Sequence, residues 1–468
     1  MIDQVSTNIA RHRMLAPGDR LGVAVSGGAD SVVLLHILHR LSSVLQIDLH
    51  VLHANHHLRG EESNQDEAFV RELASELNLP ISVGDGSPVP GNLEQEARKA
   101  RRTFFEATRQ RNSLARIALG HTRSDQAETI LYRLFRGSGL AGLAGMRIAT
   151  DDGYIRPMLT LLRSEIRDWA VAEGIRWRED STNAALDFAR NRLRNEFIPA
   201  VTQHFNPNLE TVLARLAQLA QDEEDYLFQQ VEPLFFQTAT RTRHGLVLNV
   251  LRLTQLHPAL QRRLIRRSVA EVKGDLRSLD LTHVDRITGL CSTVAGHDRV
   301  LVPGIDALRS FDSLLIRPSG RPTEERNYEI LVVPGEPCHL PFGAGSISVN
   351  WVKPEVYFCV KFKEEQELAS EVADFDADAL TGRELPRPLY VRNWEPGDRV
   401  RRVGHDSPEK LKALFQEYKV LLWERRHWPV LISGDEIVWV RGFGGAVEFA
   451  ASQRSSRVVR LVYRRSVK

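Results

Sequence analysis

The residues of this sequence that could do chemistry sit in a few short stretches. The first is Ser26-Gly27-Gly28-Ala29-Asp30-Ser31, between the apolar run Leu21–Val25 and the apolar-periodic run Val32–Leu45. Strand, glycine-rich turn and helix in that order make an anion site. Glycines let the backbone approach phosphate oxygens, and the helix start offers unpaired N–H groups. Ser26 and Ser31 add hydroxyl donors. The stretch lacks the lysine of a GxxxxGK phosphate loop, which serves the β/γ-phosphates in γ-phosphoryl transfer. A carboxylate, Asp30, stands where positive charge would be expected. It either caps the helix or holds a cation such as Mg²⁺ against the phosphates.

The second stretch, His53-Ala54-Asn55-His56-His57-Leu58-Arg59-Gly60, gathers three imidazoles in five residues. No cysteine or carboxylate lies at ligand spacing. A loop that holds a nucleotide, His56 included, or a set of solvated histidines is therefore favoured over a metal site. The third stretch runs from Gly120-His121 through Asp125 and Glu128. Spaced i,i+3 on a helix, these two carboxylates project to one side. They are either a capping box, with Asp125 as N-cap and Glu128 at the third helical position, or a pair for a cationic amine or Mg²⁺. Arginines accompany them. Arg98 and Arg101 share one helix face and could take phosphate or carboxylate, or stay solvated, with Glu94 pairing Arg98. Arg190 and Arg194 share another face, with Arg192 elsewhere, suited to RNA phosphates or to solvent.

The elements that must position these groups follow from the apolar pattern. Leu21–Val25, Ile47–Ala54, Ile81–Gly84 and Ile117–Gly120 read as strands, with helical runs near 30–45, 64–78, 94–111 and 124–136. That βαβα rhythm predicts an α/β fold with a doubly wound parallel sheet, whose ligands sit beyond the C-terminal strand ends. The loop at Ser26, the histidine loop and His121 all follow strands, so they should converge. Residues 206–320 read as a mainly helical middle domain, 321–380 as a β-containing connection and 381–468 as a C-terminal α+β domain.

Length and composition bound the rest. At 468 residues the chain is too long for one core. No apolar run reaches the roughly 18–20 residues of a membrane span, and the N-terminus lacks a secretory apolar core, so a cytoplasmic, membrane-free protein is expected. Three scattered cysteines, Cys291, Cys338 and Cys359, exclude a disulfide framework. Net charge is only +2, but segments 98–111, 399–428 and 450–468 are basic, which suits a nucleic-acid partner. In 386–468, Trp394, Trp423 and Trp428 interleave with the cations, either to stack on bases or as core.

The loop Ser26–Ser31 resembles the SGGxDS signature of the PP-loop ATP pyrophosphatases, which release AMP and pyrophosphate after adenylating a substrate oxygen. With HxNHxLR at His53, NLExxAR-xxR at Asn92, GHxxxDQxET at Gly120, RNxxR at Arg190 and the stretch Arg392–Arg399, the chain is similar to the tRNA(Ile)-lysidine synthetase family. The resemblance implies an ATP-binding catalytic domain over 1–205 and a tRNA-binding domain over 381–468. It implies a ligase that adenylates the carbon-2 oxygen of the wobble cytidine, which the side-chain amine of lysine then attacks. Partners would be tRNA(Ile) with a CAU anticodon and free L-lysine, with a homodimer admitted; cofactors would be ATP and Mg²⁺. Ser26, Gly27, Gly28, Ala29, Ser31, His56 and His121 would bind the nucleotide, and Asp30 the metal. Asp30, Asp125, Glu128 and Arg101 would be catalytic. Arg98, Asp125, Glu128, Arg190, Arg192 and Arg194 would bind lysine or tRNA. Ser124 departs from a common Asp and Arg102 from a common Tyr. A tRNA thiolase of the same superfamily and a non-catalytic RNA-binding protein are the alternatives.

Overall fold

In a computed structural model the described residues are 1–55, 60–85, 93–179, 189–292, 296–320, 327–352, 370–381 and 388–465. They form two compact units, Met1–Gln229 and Gln230–Lys468. Among the described residues no helix is long and apolar enough to cross a membrane.

The first unit is built on strands β1 (Arg20–Ala24), β2 (Asp48–Asn55), β3 (Ile81–Asp85), β4 (Arg116–Ala118) and β5 (Tyr154–Ile155). Their order is β3-β2-β1-β4-β5, and every neighbouring pair is parallel. The four strands expected from the apolar runs are present, and the sheet is doubly wound as expected. β5 is two residues long, too short for alternation to signal it. Helices α1 (Ile2–Arg11), α2 (Ala29–Leu45), α3 (Glu61–Glu76), α4 (Leu93–Arg111) and α5 (Arg123–Phe135) surround the sheet. α2 is apolar almost all round, and Val32, Val33, Leu34, Leu35, Ile37 and Leu38 are fully buried. Such a helix can only lie inside a fold. After α6 (Leu140–Leu143) come α7 (Arg163–Ala172) and α8 (Ala189–Arg192). A π-helical turn, Leu193–Phe197, then leads into α9 (Ile198–His204) and α10 (Leu209–Thr238). Strand order reverses between β1 and β4, so the loops leaving these two strands face one crevice.

The second unit begins within α10. The stretch 206–320, expected to be mainly helical, also carries a five-stranded antiparallel sheet. Its strands β6 (Ala239–Thr242), β7 (Gly245–Asn249), β8 (His297–Val302), β9 (Ile305–Ser310) and β10 (Ser313–Pro318) lie in the order β6-β7-β10-β9-β8. These are short hairpin strands, and their pattern reads weakly beside the long helical repeats. Further on, a five-stranded and a four-stranded antiparallel sheet share one core containing Phe375, Phe415, Trp428, Trp439 and Tyr463. Trp423 and Trp428 are buried, and Trp394 packs edge-on against Phe415 at 5.0 Å. Trp423 and Trp428 are therefore core, and Trp394 is half-buried against it. Arg402 and Arg425 are buried too, whereas Arg399, Lys410, Lys412 and Arg426 are exposed.

Candidate active site at the sheet switch point

The loop from β1 to α2 is held in shape by its own side chains. Gly27 has φ +97°, where a Cβ is disfavoured, and its carbonyl accepts from the Arg178 N–H at 2.9 Å. The Ser31 hydroxyl donates to the Gly28 carbonyl at 2.9 Å and accepts from the Ser26 N–H at 3.1 Å. The Ser26 and Ser31 hydroxyls lie 3.1 Å apart. Gly28 is the N-cap of α2, so Ala29 and Asp30 open the helix and Asp30 does not cap it. The β4–α5 loop closes on this helix start through Gly120, where a Cβ would stand 3.0 Å from the Asp30 carbonyl oxygen.

Asp30, Asp125 and Glu128 meet on one arginine. Arg163 reaches Asp30 Oδ2 through Nε at 3.3 Å, Asp125 Oδ1 through Nη2 at 2.5 Å and Glu128 Oε1 through Nη1 at 3.0 Å. Arg194, on the π-helical turn, grips Glu128 through Nε at 2.7 Å and Nη2 at 3.0 Å. It also lies 3.5 Å from Asp125. Irregular turns of this kind recur at functional sites. Burial pushes the Asp30 carboxyl up from its usual range, and Arg163 opposes this. Burial would raise Asp125 too, yet Arg163, His121 and the Thr122 hydrogen bonds outweigh it and hold that carboxyl low. The three acids raise Arg163 in turn, against its own desolvation. Asp30 Oδ1 is buried with no partner among the described residues.

The capping box exists, but three residues earlier than the spacing suggested. Thr122 is the N-cap and Asp125 its third-position partner, its Oδ2 accepting from the Thr122 N–H and hydroxyl at 2.8 Å each. Capping thus accounts for one oxygen of Asp125 and for nothing at Glu128. Ser124 is buried, donates to Glu210 Oε2 at 2.8 Å and accepts from the Arg163 N–H at 3.3 Å. A carboxylate there would face Glu210, so serine suits this chain.

Cations ring the other side of His121. Arg101 is exposed yet surrounded by protein, and desolvation first, then Arg98, lowers its proton affinity. Arg133 and Arg156 are lowered likewise, each by desolvation and then nearby charges that include Arg98. Arg190 donates to the Thr129 hydroxyl at 2.9 Å, while its buried Nε has no partner among the described residues. Arg192 is exposed. Arg102 pairs with Asp152 at the surface. His56 lies outside the described residues. His53 is buried, its Nδ1 bonded to the Val25 carbonyl at 2.8 Å, where it steadies the end of β1.

Sequence reasoning missed Arg163 and Arg178, and it gave Arg156, which matches the family's sequence beside Pro157, no role. Arg163 did carry a signal: it is the first residue of α7, where the helix dipole disfavours a cation. Such a residue needs a compensating partner, and here it has three.

A family model for the PP-loop domain matches residues 2–201, one for the TilS substrate binding domain 248–315, and one for the TilS substrate C-terminal domain 389–462. The tRNA(Ile)-lysidine synthase of Solibacter usitatus is 41% identical over 449 residues, covering 96% of this chain and 99% of that protein. This chain belongs to the tRNA(Ile)-lysidine synthase family. The synthase of Geobacter sulfurreducens is 35% identical, covering 97% of this chain and 96% of its own. Among solved structures, the U34-tRNA thiolase NcsA from Methanococcus maripaludis matches 47% of this chain and 78% of its own, at 14% identity and a TM-score of 0.41. Membership of the PP-loop family carries the use of ATP.

Proposed function

We propose that this chain joins lysine to carbon-2 of the wobble cytidine of tRNA(Ile) with a CAU anticodon, through an adenylated cytidine, releasing AMP and pyrophosphate. The observation that carries this reading is the bridge of Arg163, which joins the phosphate loop at Asp30 to the acid pair Asp125 and Glu128. A phosphate site and a cation site thereby share one crevice. Ser26, Gly27, Gly28, Ala29 and Ser31 hold pyrophosphate. Asp125 and Glu128 take the lysine ammonium in place of an arginine nitrogen. Arg101 and Arg98 take its carboxylate or a tRNA phosphate, and Arg190 and Arg192 serve tRNA.

The Oδ1 of Asp30, buried and without a partner among the described residues, fits a divalent cation, because a carboxylate oxygen so placed needs a positive partner. Bound there, Mg²⁺ would neutralise charge on the leaving pyrophosphate. In the second unit Arg399 pairs across strands with Lys410, and Lys412 follows two residues on, in the first turn of the helix Leu411–Glu417. We assign this basic edge to tRNA phosphates.

The thiolase reading needs reactive cysteines. The chain has none before Cys291, and burial pushes the Cys291 thiol up to about 11. The deciding experiment incubates the purified protein with ATP, lysine and a tRNA(Ile) transcript, followed by nucleoside mass spectrometry. Lysine added to one cytidine, with AMP released only when both lysine and tRNA are present, is the expected result. Sulfur incorporation when a sulfide donor is added to the same mixture, or RNA binding without AMP release, would replace this reading with one of its alternatives.

A further inference from the structure

Arg156 donates through its Nε–H to Nδ1 of His121 at 3.2 Å, and its Nη1 is anchored on the Arg147 carbonyl at 2.7 Å. A guanidinium has no acceptor atom and keeps its proton at every pH a protein meets. The contact therefore fixes Nδ1 as a bare acceptor and places the ring proton on Nε2. Nε2 has no partner among the described residues. The ring follows Gly120 directly, at the point where that glycine touches the first turn of the phosphate-loop helix. The charged groups facing it are Asp125, which favours a second proton, and Arg156, Arg101 and Arg190, which oppose one. Burial adds to the three cations and lowers His121 to about 4.

We propose that His121 is a catalytic hydrogen-bond donor that presents Nε2–H to a phosphoryl oxygen of the nucleotide, and that Arg156 is the positioning residue that locks the ring in this tautomer. The assignment rests on ATP occupying the Ser26–Ser31 loop. No bond to the imidazole forms or breaks: its proton stays on Nε2, and the oxygen gains a hydrogen bond as charge develops on it. A neutral imidazole can serve as an electrophile in this way when its surroundings keep a second proton off. His121 is consequently not the base that takes a proton from the lysine amine, since one ring nitrogen is held by Arg156 and the other already carries hydrogen.

Two measurements on the full-length protein test this. With ¹⁵N-histidine labelling and the His121 signals assigned by their loss in H121Q, Nδ1 should be unprotonated and Nε2 protonated between about pH 5.5 and 8. In R156M the two tautomers should mix. Turnover is the second readout. The amide of H121Q can still donate but cannot accept a proton from an amine. H121Q should keep at least about a tenth of kcat, whereas H121A should lose about 100-fold or more, the scale of one missing oxyanion donor. An Nδ1-protonated ring, or H121Q as inactive as H121A, overturns the proposal while leaving the ligase reading intact. A wild-type protein that releases no AMP with lysine and tRNA sinks that reading, and the donor role with it.

Discussion

Gly120 and Asp30 meet backbone to backbone: a Cβ on the glycine would stand 3.0 Å from the aspartate's carbonyl oxygen and 3.1 Å from Ser31 Cα. The opposing atoms are main chain of a buried helix, so no side chain can swing aside. G120A should therefore push the β4–α5 loop off the phosphate loop. We expect a stability loss of about 1–3 kcal/mol in urea unfolding, the usual cost of overpacking, and a KM for ATP that rises more than that for lysine.

Asp30→Asn separates charge from folding. Asp30 is not the helix cap, so the amide forfeits no capping bond. It does remove the buried oxyanion that fits a divalent cation. Pyrophosphate release should fall by about 100-fold or more while the melting temperature stays near wild type. Near-normal turnover would show that the charge of Asp30 has no part in the chemistry.

Glu128 has a side chain only 3% exposed and serves both Arg163 and Arg194. E128Q leaves two guanidinium groups short of a counter-charge, and removing one partner of a buried pair costs about 3–5 kcal/mol. The double variant E128Q/R194Q should be less destabilised than the sum of its single variants, because the interaction is shared. The KM for lysine should rise in E128Q more than that for ATP. Additive stabilities and an unchanged lysine KM would remove Glu128 from the site.

Acid should destabilise the first unit through its histidines. Burial, the largest cause in each case, lowers His36, His50, His53 and His121, the last to about 4 against an ordinary value near 6.5. Between those two pH values the unfolded chain binds more protons than the folded one, so stability rises with pH. The contribution is complete above about pH 6.5 and is lost as pH falls toward 4. Urea midpoints across this range check the slope, which should be shallower in H121Q.

Arg399 and Lys410 face each other across two antiparallel strands and are both exposed. Replacing both with glutamate should weaken tRNA binding and leave ATP binding unchanged. The salt slope of tRNA affinity should flatten by roughly 0.7–0.9 for each phosphate that the protein no longer neutralises. Identical slopes in filter-binding titrations would move the tRNA surface elsewhere.

By itself the sequence determined the βαβ order of the first unit, the glycine-rich turn between β1 and α2, and the placing of Ser26–Ser31, His121 and Asp125 at neighbouring strand ends. Those features are local: apolar periodicity, glycine at a turn and the start of a helix act over a few residues. Only the tertiary structure decided which partners these groups have. Arg163 lies 133 residues from Asp30 in the chain, and Arg194 lies 66 from Glu128. No spacing rule spans such distances, because packing of the sheet and its helices sets them. The same packing chose Thr122 over Asp125 as helix cap, buried Trp423 and Trp428, which could have stacked on bases, and paired short apolar runs into the sheet of the middle region. Each of these was a choice between two locally acceptable states, settled by the burial of surface far away in sequence.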